Sequence, residues 1–286
     1  MIPTRRDLRF KLKPGSVSDW HAQGRYVTQF VNAMSIFFPD GERYFIHTVR
    51  HYRDRITDPK LKEAVAAFIG QEAMHGREHD DYNRLLAEAG LPAVELQAHA
   101  AKFLDLLKAK LPAAAQLSVT IAQEHFTAIV AQLVLTDPRM IAGADARLAA
   151  LWRWHALEET EHKAVAFDVY ETVMGRGLKS YALRSASMAL TTAGFLGLVM
   201  FYQQRLLKAD PHARRFEGLG KFINFMFRSP ALLPRLAWPW LTYFRPGFHP
   251  WDQDNRHLLG QIDALVAETE GYASNAQRYP PLRAAA

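Results

Sequence analysis

Glutamate and histidine recur at regular intervals in the segment FIGQEAMHGREHDDYN, residues 68–83. On an α-helix, Glu72, His75 and His79 occupy positions i, i+3 and i+7, so their side chains share one face. Carboxylate and imidazole groups together bind iron, manganese or zinc. The spacing therefore indicates either a solvated polar stripe or one wall of a metal site.

A second stripe of the same kind lies in WHALEETEHKAVAFD, residues 154–168. His155, Glu159 and His162 fall at positions i, i+4 and i+7 of a helix and also share a face. Glu158 lies four residues before His162, but only Glu159 has the Glu-x-x-His spacing that the first stripe shows. Glu159 is therefore the predicted ligand, with Glu158 as the alternative.

The two Glu-x-x-His motifs, EAMH and ETEH, are typical of dinuclear carboxylate proteins, in which two helices carry the motif and two others supply one glutamate each. Glu42 in FPDGERYFI and Glu124 in IAQEHFTAI can supply these two glutamates. Four carboxylates would match the charge of two divalent ions, which makes their burial tolerable. The predicted metal ligands are Glu42, Glu72, His75, Glu124, His155, Glu159 and His162. His155 also fits the description of a core histidine, and His79 and Glu158 fit either ligands or hydrogen-bond partners of ligands.

Helices must position these residues, because apolar residues recur at three- and four-residue spacing and strand signals are nearly absent. The pattern predicts helices at 17–36, 41–56, 60–89, 94–109, 113–136 and 145–174. Two of them span about 30 residues, or about 45 Å, which suits the long elements of a four-helix bundle. The shorter helix at 94–109 can carry the chain back across such a bundle. The predicted fold is all-α, a ferritin-like four-helix bundle.

The composition changes after Gly177. Residues 185–202 carry no charge, and residues 223–251 mix aromatic residues, prolines and arginines. An uncharged run of this length fits a buried or hairpin helix, an interfacial membrane helix or a short membrane span. We therefore predict a bundle domain at 1–176 and a helical extension at 177–286, packed on the bundle or at a membrane surface.

The composition excludes several classes of protein. The chain has no cysteine, which rules out disulfides, iron–sulfur clusters and thiol nucleophiles. Its net charge of +6 comes without clustered basic runs, so no nucleic-acid partner is predicted. The start of the chain, MIPTRRDLRFKLKPGS, lacks the apolar region of a secretory signal, which favours a cytoplasmic location with membrane association left open.

The two histidine-containing segments, together with YFRPGFHPWD, resemble the bacterial family of predicted metal-dependent hydrolases, whose fold is ferritin-like. The ligand pattern is also similar to that of di-iron arylamine N-oxygenases. Those enzymes carry an additional histidine four residues before the glutamate of the second Glu-x-x-His motif, and His155 holds that position here. The resemblance implies a dinuclear centre in which His155 is a ligand.

The leading functional hypothesis is a dinuclear iron oxidase or oxygenase that uses O₂ and an electron donor to oxidise a hydrophobic small molecule. Carboxylates stabilise oxidised iron and can bridge two ions. Glu72 and Glu159 are the bridging candidates, and Glu42 and Glu124 the terminal ones. The alternative is a metal-dependent hydrolase that activates a bridging water. A non-catalytic metal-binding protein is a third option. Two iron ions are the predicted cofactors, with manganese or zinc as alternatives, and a homodimer is left open.

Overall fold

The computed structural model describes residues 1–214, 216–270 and 277–278, and it confirms an all-α fold. Its α-helices are α1 (Arg25–His51), α2 (Pro59–Glu88), α3 (Ala93–Lys110), α4 (Ala113–Thr136), α5 (Ala146–His162), α6 (Val165–Met174), α7 (Leu178–Ala209), α8 (Leu219–Phe227), α9 (Leu232–Thr242) and α10 (Ile262–Glu270). Short 3₁₀ helices lie at Arg53–Arg55, Pro138–Ile141, Pro250–Asp252 and Arg256–Gln261. A two-residue strand, β1 (Arg6–Asp7), pairs antiparallel with β2 (Gln277–Arg278).

Helix α2 begins and ends where its sequence indicates. The side chain of Asp58 accepts a hydrogen bond from the backbone N–H of Lys60, and Pro59 occupies the first turn, where its missing N–H costs nothing. Gly90 follows the end of the helix with a φ of 84°, a conformation that glycine adopts without strain. These signals hold α2 in the register that faces its Glu-x-x-His motif inward.

The helices predicted at 17–36 and 41–56 form one continuous helix, α1, and residues 17–24 lie outside it. Pro39 and Gly41 lie within α1 without ending it. A proline removes one backbone hydrogen bond. Pro39 and Gly41 are nevertheless buried with most of α1, so tertiary packing outweighs their local preference for a helix break. Glu42 is therefore in the middle of a long helix and not near the start of one.

The single helix predicted at 145–174 is divided into α5 and α6 directly after His162. The buried ammonium of Lys163 donates hydrogen bonds to the backbone carbonyl of Gln253 at 2.7 Å and to Asn255 Oδ1 at 2.8 Å. It also lies 4.2 Å from the centre of the Trp251 ring. At the break, Lys163 thus links the helix that carries the second motif to a segment about 90 residues away. Local periodicity in the sequence does not indicate such a contact.

Helices α1, α2, α4 and α5 pack against one another and enclose the predicted site. The chain ahead of α1 closes one side of this group, since Phe10 is fully buried and its backbone N–H donates to Glu78 Oε2 on α2 at 3.1 Å. The four helices thus supply every predicted ligand, as the sequence led us to expect. Their ferritin-like arrangement remains a prediction.

The extension after Gly177 packs on the helices that carry the ligands. Helix α7 contacts α1 and α4, α9 contacts α4, and α10 contacts α5. The proposed boundary at residue 176 remains a prediction, and residues 271–276 and 279–286 of the predicted domain lie outside the described residues.

Two described helices are long and apolar enough to cross a membrane, α4 and α7. The most apolar stretch of α4 is 61% buried inside the protein, whereas that of α7 is 22% buried. Helix α4 is therefore a core helix by packing. Helix α7 is less buried than α4, although Met188, Phe195 and Val199 pack in the core.

Candidate metal centre

The side chains predicted as metal ligands meet in the interior between α1, α2, α4 and α5. None is more than 4% exposed. Their positions are Glu42 on α1, Glu72 and His75 on α2, Glu124 on α4, and His155, Glu159 and His162 on α5. The helical stripes read from the sequence thus converge on one buried volume.

The ligand atoms of these residues form three overlapping groups, each with its atoms within 4.8 Å of one another. The groups are Glu42 with His75 and His155, Glu72 with His75 and Glu159, and Glu72 with Glu124 and His162. Each group could hold a metal ion. Since Glu72 and His75 each belong to two groups, the three lie side by side.

Glu159 lies between two of the histidines. Its Oε1 is 3.0 Å from His155 Nε2, and its Oε2 is 3.7 Å from His162 Nε2. Glu72 is placed similarly, with Oε1 3.1 Å from His162 Nε2 and Oε2 3.8 Å from His75 Nδ1. Glu159 Oε1 is also 3.8 Å from His75 Nδ1, so Glu72 faces two imidazoles and Glu159 faces three.

The other two glutamates each face a single imidazole. Glu42 Oε1 lies 3.6 Å from His155 Nε2, and Glu124 Oε2 lies 3.4 Å from His162 Nε2. They occupy opposite ends of the cluster, with Glu72 and Glu159 between them.

Buried polar atoms without hydrogen-bond partners are concentrated in this cluster. Within the described residues they include both carboxylate oxygens of Glu42, Glu72 and Glu124, both ring nitrogens of His75, Glu158 Oε2 and His162 Nε2. An unpaired buried polar group costs free energy, and native proteins rarely leave one. Cations placed among the ligand groups would satisfy most of them, so the residues present fit a metal centre.

The outer nitrogen of His162 is held by Gln71. The amide Nε2 of Gln71 donates to Glu161 Oε2 at 2.7 Å and to the carbonyl of Thr4 at 3.1 Å. Its amide oxygen therefore accepts from His162 Nδ1, at 3.0 Å. The proton of His162 is thus on Nδ1, and the lone pair of Nε2 points at Glu72 and Glu124.

A longer hydrogen-bond chain fixes His155. Ser35 Oγ donates to Asn83 Oδ1 at 2.9 Å, so it accepts from His79 Nδ1, also at 2.9 Å. His79 Nε2 is then free to accept from His155 Nδ1 at 2.8 Å. The lone pair of His155 Nε2 therefore points at Glu159. His79 lies behind His155, as the partner of that histidine.

Glu158 lies behind His75. Its Oε2 is 3.2 Å from His75 Nε2, and its Oε1 accepts a hydrogen bond from Arg6 Nη1 at 3.0 Å. Arg6 also binds Glu161 at 2.9 Å. Burial raises the pKa of Glu158 to about 8, although Arg6 opposes the shift. Of the two frames read in EETEH, Glu159 belongs to one of the three ligand groups and Glu158 to none.

The sequence analysis missed Arg6, Gln71 and Glu161. Arg6 binds Glu158 and Glu161, and Gln71 binds His162 and Glu161. Arg6 lies 152 residues from Glu158, and Gln71 lies 91 residues from His162. Partners so far apart in the chain leave no signal in a local pattern.

The electrostatics of the cluster favour a bound cation. Burial raises the pKa values of Glu42 and Glu72 well above the ordinary range, and neighbouring carboxylates raise them further. Burial also raises the pKa of Glu124 and lowers that of His75. Without a metal, both ionisation of the glutamates and protonation of His75 would cost free energy.

An apolar cavity of about 60 Å³ borders the centre. His155 and Glu159 form its inner wall, and Thr127 donates a hydrogen bond to Glu159 Oε2 there. The remaining lining is apolar, from Val31, Met34, Phe38, Phe126, Val130, Ala131, Val134, Met140, Ile141, Trp152, Ala156 and Phe195. The centre thus faces a space suited to an apolar molecule.

A family model described as "predicted metal-dependent hydrolase" matches residues 4–254 of the chain. The protein therefore belongs to this family of predicted metal-dependent hydrolases. No curated protein and no solved structure gives a significant match. The family and the buried glutamate–histidine groups together support metal dependence, and they agree with the hydrolase alternative better than with the oxidase hypothesis.

Proposed function

We propose that the protein is a hydrolase that uses two divalent metal ions held between α1, α2, α4 and α5. The cluster of buried glutamate and histidine atoms that lack hydrogen-bond partners carries this proposal. Glu72 and Glu159 would bridge the ions, because each faces more than one imidazole. Glu42 would bind one ion with His155 and His75, and Glu124 would bind the other with His162.

A bound metal pair would supply a Lewis acid and a water nucleophile at neutral pH. The chain's own residues prepare the site for it. Gln71 and His79 hold the protons of two imidazoles on their outer nitrogens. Thr127 fixes Glu159 by a hydrogen bond. Such outer contacts set the orientation of metal ligands and strengthen their binding.

The substrate proposed for this centre is a hydrophobic small molecule. The cavity beside His155 and Glu159 is lined by apolar side chains apart from Thr127. An apolar enclosure excludes bulk water, so electrostatic interactions at the reacting bond are stronger there than in solvent. Apolar esters are suitable first substrates for this reason.

Metal removal and replacement test the proposal. Protein stripped with a chelator should bind about two zinc or manganese ions per chain and regain turnover of para-nitrophenyl dodecanoate, with or without O₂. Glu72→Gln should reduce both metal content and turnover. The matched variant Glu63→Gln, at an exposed position of the same helix, should change neither. Full turnover by stripped protein, or none with any ion, would refute hydrolysis at this centre.

O₂-dependent oxidation is the second candidate, and one observation favours it. Among the described residues that line the cavity, none besides the proposed ligands is an acid that could protonate a leaving group. Oxidation of an apolar molecule needs no such group. This candidate predicts O₂ consumption by iron-loaded protein supplied with an electron donor, and no turnover by the zinc-loaded form.

A further inference from the structure

A second and larger apolar groove lies between α3, α4 and α7. Its volume is about 380 Å³, within the range of about 300–1,000 Å³ that is usual for ligand pockets. On α7 its lining extends from Leu183 to Leu198, which corresponds to about 22 Å along a helix. We call this space the α3–α7 groove. It is elongated along α7, as an unbranched chain would be.

The α3–α7 groove extends from the outside of the protein to a point close to the metal centre. Leu190, which lines it, is 73% exposed and marks its outer side. At its inner end Phe45 and Gln123 line both the groove and a small gap that also touches Glu42 and Glu159. The same two spaces share Phe37 and Phe195, whose rings meet edge to face with their centres 5.2 Å apart. These two rings form the constriction between the groove and the centre.

The groove is mostly apolar along its length and has a polar side chain at its inner end. Among the described residues that line it, none is charged, and most are leucine, phenylalanine, alanine or valine. Gln123, at the inner end, is 5% exposed, and its side-chain oxygen is buried without a hydrogen-bond partner. That oxygen can accept a hydrogen bond from a hydroxyl or an amide N–H of a ligand.

We propose that the α3–α7 groove binds an unbranched alkyl or acyl chain whose polar end carries a hydroxyl or amide N–H. The chain lies along α7, and its polar end reaches Gln123, next to Glu42 and Glu159. The orientation toward the metal centre rests on the proposed function. Binding of the chain itself does not, because the groove is lined by residues outside the metal cluster.

Two glycines of α7 allow a matched test. Gly194 lines the groove and Gly197 does not, and a Cβ added at either position meets no atom within 4 Å. Gly194→Leu should therefore fill the groove, whereas Gly197→Leu adds the same side chain to the same helix outside it. Both variants raise helix propensity alike, so a difference in ligand binding reports the groove.

Calorimetric titration of the full chain with dodecanol and with hexanol measures binding without any turnover. Wild type should bind dodecanol more tightly, because each buried methylene contributes about fourfold in affinity. Gly194→Leu should weaken dodecanol binding about tenfold or more, and Gly197→Leu should leave it unchanged. Equal affinities for wild type and Gly194→Leu, or equal losses in both variants, would overturn the proposal.

Gln123→Leu tests the polar end, because it keeps the size of the side chain and removes the acceptor. It should weaken dodecanol binding about fivefold and leave the binding of dodecyl methyl ether, which has no donor, unchanged. Equal effects on both ligands would refute the role of Gln123.

Metal-stripped protein should still bind dodecanol within about threefold of the loaded protein, since the groove does not include the cluster. Dodecanol binding without ester turnover in any metal form would refute the proposed hydrolysis and support the groove. Ester turnover without dodecanol binding would support the proposed hydrolysis and refute ligand binding in the groove.

Discussion

Arg6 compensates the two buried carboxylates of Glu158 and Glu161 behind the metal cluster. Arg6→Ala removes the only guanidinium that binds them among the described residues, and breaking a buried ion pair costs about 3–5 kcal/mol. We expect a loss of that size in the free energy of unfolding, measured with urea. Arg9→Ala is the control, because Arg9 is 43% exposed and pairs with Asp7 at 3.5 Å, where a surface pair contributes about 0–1 kcal/mol. Equal losses in the two variants would contradict the role of Arg6.

The raised pKa values of the cluster predict how the metal-free protein responds to pH. Burial raises the pKa values of Glu42, Glu72 and Glu124, so the folded protein binds more protons than the unfolded chain above the ordinary carboxyl pKa. Burial alone would raise the pKa of Glu159 too, but His162 and His155 lower it. The three glutamates with raised pKa values outnumber this one. When the folded state holds more protons, stability falls as pH rises. Burial also lowers the pKa values of His75 and His79, which acts in the opposite sense below about pH 7, where the unfolded chain protonates its histidines. The free energy of unfolding of stripped protein should therefore decrease from about pH 7 to about pH 8.

Bound metal should remove this dependence, because the ions replace the protons on the carboxylates. Urea denaturation of stripped and metal-loaded protein at both pH values makes the comparison. A stripped protein that is more stable at the higher pH would show that these carboxylates are already ionised without metal.

At the residue scale, spacing along a helix was sufficient to predict the clustered residues, because side chains at i, i+3 and i+7 must share a face. It was not sufficient to distinguish ligands from the residues behind them. His79 and Glu158 have suitable spacing, yet the structure places them against the outer nitrogens of His155 and His75. Rotamer and packing decide which of two neighbouring carboxylates turns inward, and a local pattern does not contain that information.

At the scale of elements, α1 and α2 come close to each other at Gly76, next to the carboxylate of Glu42. A Cβ at this position would lie 3.3 Å from Glu42 Oε2 and 3.7 Å from the backbone of Pro39. Gly76→Ala should displace the Glu42 carboxylate and reduce metal content by about half. The free energy of unfolding of the stripped protein should stay the same or increase, since alanine is favoured over glycine in a helix by about 1 kcal/mol.

Gly70→Ala is the matched control for this prediction. Gly70 lies on the same helix, and a Cβ there meets the side chain of Arg5 and no proposed ligand. Its metal content should match that of wild type. A similar metal loss in both variants would assign the effect to α2 as a whole and not to the contact with Glu42.

Helix boundaries were predictable where capping residues mark them, as at Asp58 and Gly90, and were wrong where distant contacts decide. Pro39 and Gly41 suggested a break that packing of α1 prevents. Lys163 is at a break that the sequence does not suggest, because its partners Gln253 and Asn255 belong to the distant extension. In each case the error concerns long-range packing and not local propensity.

At the scale of the whole molecule, the extension after Gly177 contributes to the interior next to the metal cluster. Phe195 on α7 lines both the cavity beside His155 and the α3–α7 groove. It packs against Phe37 and Phe126, with ring centres 5.2 and 5.6 Å apart. The apolar composition of the extension thus has two consequences, an inner wall for the proposed substrate and an exposed apolar surface on its other side.

That exposed surface supports the prediction of peripheral membrane contact. Its large apolar side chains include Leu190, Phe201, Ile223, Phe227 and Trp238, on α7, α8 and α9. Exposed cations lie nearby at Lys208, Lys221 and Arg228. Arg184, on α7, is buried and donates hydrogen bonds to the carbonyls of Tyr243 and Arg245, so it does not belong to this set. Apolar side chains rimmed by cations favour binding to anionic lipid surfaces.

Flotation with anionic liposomes tests this prediction. At low salt, where electrostatic attraction is least screened, the full chain should float with the liposomes, and Lys221→Glu with Arg228→Glu should reduce the floating fraction several-fold. Lys60→Glu with Lys62→Glu is the control, because it makes the same charge change at exposed positions at the start of α2. That variant should float as wild type does, because attraction to the lipid surface falls off within about 10 Å. If the full chain stays in the soluble fraction at low salt, the apolar face of α7 has another partner and the membrane prediction is wrong.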